Sequence, residues 1–140
     1  RRQPLLAQAD AGNLPFADCS FDAIVEIGAL AANSSAGIDR ILAEISRTLK
    51  PGGRFFSSVL FSQATTGYGT GEKIDDHSYR NVVNSPVSGL GTIHFFTEKE
   101  IETLWQRHGF MNLSIDHFER TDHNRTYKVS FYVVGCQRRK

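Results

Sequence analysis

Carboxylates and an imidazole near apparent strand ends are the side chains best suited to chemistry in this 140-residue chain. Asp10 follows the short apolar run Leu5-Leu6-Ala7-Gln8-Ala9 and precedes Ala11 and Gly12. A carboxylate at a strand end can accept a hydrogen bond from an exocyclic amine, while the next backbone amide donates to a ring nitrogen. Open α/β sheets hold their ligands at such ends. The same three residues also suit an Asx-type turn. Glu26, Ile27 and Gly28 close the next strand-like run. Glu26 there reads either as a base, as a carboxylate that positions a substrate, or as a charge on a solvent-facing edge. Farther along, Tyr68, Asp75, Asp76, His77 and Tyr79 read either as groups that touch a substrate or as a solvated loop. Glu26 and His77 are the two bases on offer.

Other chemistries lack their residues. Gly67-Tyr68-Gly69-Thr70-Gly71 follows a strand-like run, but residue 72 is glutamate and no Gly-Lys-Ser or Gly-Lys-Thr occurs, so a phosphate loop is excluded. His94, His108, His117 and His123 have no ligand spacing, and Asp75-Asp76-His77 cannot all converge from regular structure. The sequence therefore predicts no metal site. No serine stands in G-x-S-x-G, and Cys19 and Cys136 have no evident base partner.

These groups must be carried by an alternation of strands and helices. Leu5–Ala9 and residues 23–27 read as short buried strands. Ile38, Ile41, Leu42, Ile45 and Leu49 recur at helical spacing, predicting a helix near 37–50 with its N-cap near Ser35. Pro51-Gly52-Gly53 is expected to end it. Residues 54–61 form the next strand. Residues 62–92 lack a period and predict a long functional loop or mobile lid. Thr97-Glu98-Lys99-Glu100 is a capping box, in which the threonine caps the third amide and Glu100 reaches back, so a helix should run near 98–108 until Gly109. Strands near 111–118 and 127–134 complete the chain. Strand, helix, strand, loop, helix, strand, strand argues for an open α/β sheet whose last two strands are antiparallel.

Composition narrows the partners. Sixteen basic against fifteen acidic residues leave a net charge of +1, which gives no general pull toward nucleic acid or an anionic membrane. The basic residues at both ends, Arg1-Arg2 and Arg138-Arg139-Lys140, suit solvated termini. No apolar run approaches the ~20 residues that span a bilayer. Two distant cysteines suit reduced thiols in a cytoplasmic protein.

Three motifs taken together are more specific than any one alone. Asp10-Ala11-Gly12-Asn13-Leu14-Pro15-Phe16, Ser20-Phe21-Asp22-Ala23-Ile24-Val25 and Leu49-Lys50-Pro51-Gly52-Gly53 stand in an order and approximate spacing that resemble the class I S-adenosylmethionine (SAM)-dependent methyltransferases, most closely the ubiquinone- and menaquinone-biosynthesis branch. The resemblance covers nearly the whole chain. It implies a partial Rossmann-like sheet, mostly parallel with an antiparallel carboxy-terminal strand pair, in a single domain over residues 1–140 with a substrate lid at 62–92. It also implies SAM as cofactor. Asp10 would meet the adenine amine, Ala11 the ring, Leu14 and Phe16 would wall the adenine, and Glu26, Ile27 and Gly28 would lie beside the reactive methyl. Glu44 and Arg47 match the family's Glu-x-x-Arg and read as a helix-anchoring ion pair. The family's His-His pair after the second strand is replaced by Ala29-Leu30-Ala31-Ala32.

The family's glycine-rich D-x-G-x-G motif has no counterpart in the nine residues before Asp10. The chain therefore reads as the carboxy-terminal portion of a methyltransferase for a small-molecule acceptor, with weak or absent SAM binding on its own. The alternative is a non-catalytic remnant acting as a binding or dimerisation module. A nucleotide-binding oxidoreductase is disfavoured, since no βα glycine fingerprint is present. The family places strand one beside strand four, so residues 23–27 would form an apolar edge. Such an edge is expected to be covered by Leu5–Ala9 folding back, by an upstream segment, or by a second copy in a homodimer.

Overall fold

The computed structural model describes residues 5–122 and 124–140; Arg1, Arg2 and His123 lie outside them. The elements follow in the order β1 (Phe21–Ile27), a 3-10 turn (Leu30–Ala32), α1 (Ser35–Thr48), β2 (Leu49–Phe61), β3 (Glu72–Lys73), β4 (Ser78–Arg80), β5 (Thr92–His94), α2 (Glu98–Arg107), β6 (Phe110–Asp122) and β7 (Tyr127–Arg138). The main sheet has the order β1-β2-β7-β6. β1 and β2 are parallel, whereas β7 runs antiparallel to both β2 and β6. The α/β architecture with an antiparallel carboxy-terminal pair is thus present. Its parallel part is the β1–β2 pair, joined by α1 as a parallel connection requires.

Helix α1 buries the stripe its periodicity announced: Ile38, Ile41, Leu42 and Ile45. Ser34, one residue before the expected cap, accepts a 3.3 Å hydrogen bond from the Gly37 amide. The helix ends at Thr48, before Pro51-Gly52-Gly53 is reached. Leu49 is already extended and pairs with Phe21, so strand pairing stops the helix and Pro51, Gly52 and Gly53 fall inside β2. Gly52 (φ 76°) accommodates the register shift there. Helix α2 buries Ile101 and Trp105, and the Trp105 ring stacks on Phe55 at 6.2 Å.

Two sequence expectations are corrected. Leu5–Ala9 is not a strand: its backbone pairs with nothing, and Leu5 and Leu6 are fully exposed. A strand needs a neighbour to satisfy its amides, and this segment has none among the described residues. Among the described residues, the outer edge of β1 is thus uncovered. Residues 62–92 are not structureless. They build most of a three-stranded antiparallel sheet, β3-β4-β5, around a core of Val82, Val87, Ile93 and Phe95. Gly67 and Gly71 belong to this packing, because a Cβ on Gly67 would meet the Ser85 side chain at 2.4 Å and one on Gly71 the Arg80 carbonyl at 2.4 Å. The small sheet joins the main one through the Phe96 amide, which donates to the Phe61 carbonyl at 2.7 Å. β6 and β7 run longer than expected, with Asp122 still paired to Tyr127.

Candidate functional site

The segment from Asp10 to Asp18 lies along α1 and is fastened to it by charge. Asp10 forms the Asx-type turn: its carboxylate accepts the Gly12 amide at 2.8 Å and its carbonyl the Asn13 amide at 2.9 Å. Asp10 is exposed, whereas Ala11 packs partly against the main core. Leu14 is half-buried and the exposed Phe16 ring meets Phe21 edge-on at 5.0 Å. Arg47 holds this segment. Its guanidinium grips both Glu44 oxygens at 2.8 Å and donates to the carbonyls of Leu14 (3.1 Å) and Phe16 (2.8 Å) and to Asp18 (2.8 Å). Glu44 in turn accepts the Leu14 amide at 2.8 Å. The guanidinium, helped by that amide, holds the Glu44 carboxyl far below its usual range, at about 2. The anchoring pair expected within the helix thus reaches outward and fixes the loop carrying Leu14 and Phe16.

The carboxyl ends of the parallel pair form the second wall. Glu26 does not face solvent. It is buried, and its two oxygens accept the Leu30 amide at 3.0 Å and the Ser57 hydroxyl at 2.5 Å. Burial pushes its pKa up, and the Ser57 and Leu30 donors only partly offset this. Glu26 therefore ties β1, β2 and the 3-10 turn together. Ile27 is 69% exposed, and Gly28 takes φ 78° as its amide donates to the Ser58 carbonyl at 3.1 Å. Next to it β2 carries a bulge between Ser57 and Leu60, with Val59 at φ 62°. A β-branched residue rarely occupies the left-handed region, so the end of β2 beside Gly28 is strained.

The small sheet forms a third wall. β5 packs against the 3-10 turn that follows β1, and Asp75 pins the preceding loop to α1. Its oxygens accept the amides of Ser35 (2.9 Å), His77 (3.0 Å) and Ser78 (2.8 Å). Burial would raise the Asp75 pKa, but these donors outweigh it and hold it at about 2. Tyr68 and Tyr79 meet edge-on at 5.7 Å, each against Phe95. Asp76 is exposed and pairs with Lys73 at 3.1 Å.

His77 has company that its position in the sequence did not announce. Its Nδ1 lies 2.6 Å from one oxygen of Glu100, and His94 Nε2 lies 2.9 Å from the other. His94 is fully buried, with its Nδ1 2.8 Å from the Ser78 hydroxyl. Burial would raise the Glu100 pKa, but the hydrogen bonds to His94 and His77 outweigh it and lower it. Thr97 caps the Glu100 amide as expected (3.1 Å). The glutamate does not complete the box, because two imidazoles take its carboxylate. Glu100 is in the first turn of α2, His94 lies directly opposite Ser78 in the β4–β5 register, and His77 precedes Ser78. Residues separated by 17 and 6 positions thus converge. A glutamate spaced for a capping box, just after a histidine, was the one available signal.

Comparison with known proteins fits this arrangement. A family model described as a methyltransferase domain matches residues 1–57. The chain is 27% identical over 127 residues to the sterol 4-C-methyltransferase strm-1 of Caenorhabditis elegans, covering 90% of this chain and 35% of that protein. It is 29% identical over 134 residues to the tRNA N(3)-methylcytidine methyltransferase Mettl2 of Drosophila melanogaster, covering 94% and 39%. It thus spans little more than a third of either curated relative. A solved SAM-dependent methyltransferase from Methanosarcina mazei superposes with a TM-score of 0.68 at 27% identity, covering 94% of this chain and 65% of that one. These similarities are all to methyltransferases, and the solved relative is a SAM-dependent one.

Proposed function

We propose that this chain is the carboxy-terminal portion of a class I SAM-dependent methyltransferase that transfers a methyl group to a small-molecule acceptor. The observation that carries the reading is the packing of the small sheet against the turn at the carboxyl end of β1. Ligands of open α/β sheets sit at such ends. In this reading residues 1–140 form one domain. Asp10 and the Ala11 amide serve the adenine, Leu14 and Phe16 wall it, and Glu26, Ile27 and Gly28 line the methyl side. Glu26 acts there by holding the 3-10 turn, since both its oxygens are engaged. The acceptor then meets Tyr68, Asp76, His77 and Tyr79 on the small sheet and the loop before it, and His77 is the better placed of the two candidate bases. The sulfonium cofactor supplies the leaving group itself. The protein's task is to align donor and acceptor and exclude water.

Titration calorimetry with S-adenosylhomocysteine tests this. The 140-residue chain is expected to bind it weakly or not at all. A protein extended upstream of Arg1 by a strand and a glycine-rich loop is expected to bind in the micromolar range. Asp10→Ala in that longer protein should weaken binding by about 10- to 150-fold, the loss of a charged hydrogen bond of roughly 1.5–3 kcal/mol. No binding by the longer protein would overturn the proposal.

One feature favours a second reading, that of a dimerisation module. The β1 edge is open among the described residues, and Val25 and Ile27 on it are 65% and 69% exposed. A homodimer through residues 23–27 would cover both.

A further inference from the structure

We propose that His77, His94 and Glu100 form a binding site for a divalent first-row transition ion, with one coordination position open toward the acceptor side. Three donors of the kinds such ions take come from three separate places: the loop before β4, strand β5 and the first turn of α2. Their ligand atoms all lie within 4.8 Å of one another. Two imidazoles and one carboxylate, with a position left for water or substrate, are a donor set of catalytic zinc sites and of non-haem iron sites.

The surroundings of each donor are those of a ligand. A metal-bound histidine normally hydrogen-bonds through its other nitrogen, which fixes the ring. His94 does so: Nδ1 meets the Ser78 hydroxyl at 2.8 Å while Nε2 faces Glu100. Glu100 forgoes the backbone contact that its capping position offers and points between the two rings. His77 and Glu100 keep 29% and 17% side-chain exposure, whereas His94 has none, so the group opens to solvent on one side only.

The present contacts of 2.6 and 2.9 Å are direct hydrogen bonds between the carboxylate and the two rings. Ligand atoms about 2.1 Å from a tetrahedral ion lie roughly 3.4 Å apart. Shifts of the ligand atoms by up to about 1.4 Å, from their present 2.6 to 4.8 Å separations, would bring them to that spacing. Each ring coordinates through the nitrogen that faces Glu100, in the tautomer protonated on the other nitrogen. His94 then donates from Nδ1 to Ser78, and His77 keeps its proton on Nε2. The bound ion would take an oxygen or nitrogen of the acceptor in its open position and lower that group's pKa, replacing His77 as the group that activates it. This role, unlike the site, rests on the methyltransferase reading.

The test is titration of metal-free protein with Zn²⁺ by calorimetry and with Co²⁺ by absorption. One ion per chain with a Kd in the micromolar range or below is expected, with visible d–d bands for Co²⁺. His77→Ala and Glu100→Gln should each weaken binding at least 10-fold while melting near the wild-type temperature without metal. Cys19→Ser, which removes the exposed thiol, should leave it unchanged. Ring ¹⁵N spectra of the wild type provide a check that needs no variant: saturating Zn²⁺ should shift His77 Nδ1 and His94 Nε2. The proposal is overturned if no saturable binding is seen, if both variants retain wild-type affinity, or if those two nitrogens do not move. Each outcome is independent of S-adenosylhomocysteine binding, so the metal site and the methyltransferase reading can fail separately.

Discussion

Arg47 and Glu44 do more than their helical spacing requires. They turn an i, i+3 pair into a clamp on Leu14, Phe16 and Asp18. The clamp is titratable. The folded pKa of Glu44, about 2, lies below the ordinary glutamate value of 4.5, so its contribution is complete above that value and disappears as pH falls toward 2. The melting temperature of wild type should exceed that of Glu44→Gln at pH 7, and the gap should narrow as pH falls below 4.5 and close only below about pH 2. Glu26 has the opposite sign. Its folded pKa is raised by burial, so it favours the fold while protonated at low pH and costs stability as pH rises through the folded value. Glu26→Gln, which can keep both hydrogen bonds, should melt higher than wild type at pH 8 and equally at pH 4. A lower melting point at pH 8 would show that the ionised form is the one the fold requires.

The elements carry their own strain and their own caps. Val59 in the left-handed region costs of order 1–2 kcal/mol relative to an ordinary strand conformation. Val59→Gly should therefore be neutral or stabilising by up to about 1 kcal/mol in urea unfolding, where the same change elsewhere in β2 would destabilise. Thr97→Ala should cost about 1 kcal/mol through loss of the α2 cap. The helices and the four main strands were legible because each buries an apolar face with a clear period, as Ile38, Ile41, Leu42 and Ile45 show. The end of α1 was misread because Pro51-Gly52-Gly53 resembles a terminator, whereas pairing of Leu49 with Phe21 decides the matter through a contact distant in sequence. The small sheet was missed because strands of two and three residues have no period to read. Asp10 was legible as a turn or a ligand group, and the structure shows the turn. The His77–His94–Glu100 group could not be assembled from the sequence, because beyond the capping-box glutamate it depends on the β4–β5 register, which no local spacing encodes.

At the scale of the molecule, the main sheet has two edge strands among the described residues, β1 and β6, and they differ in the charge they carry. β6 ends the far side with a solvent-facing strand bearing Asp116, Glu119 and Arg120, all exposed, whereas β1 offers Val25 and Ile27. Charged residues guard an edge strand and apolar ones recruit partners. Light scattering should find this chain dimeric or self-associating, and Ile27→Lys should return it to a monomer without changing the helix content. A wild-type monomer at high concentration would remove the case for pairing through β1. The inner seam has a different consequence. β2 is bordered by β7, and about 65 residues of chain separate Phe61 from Tyr127. At a synthesis rate of ~5–20 residues per second, β2 waits roughly 3–13 s on the ribosome before its second neighbour exists. During that interval the strand carrying Phe55, Phe56 and Leu60 has an unpaired border, an exposure that belongs to the nascent chain and is absent from the finished fold.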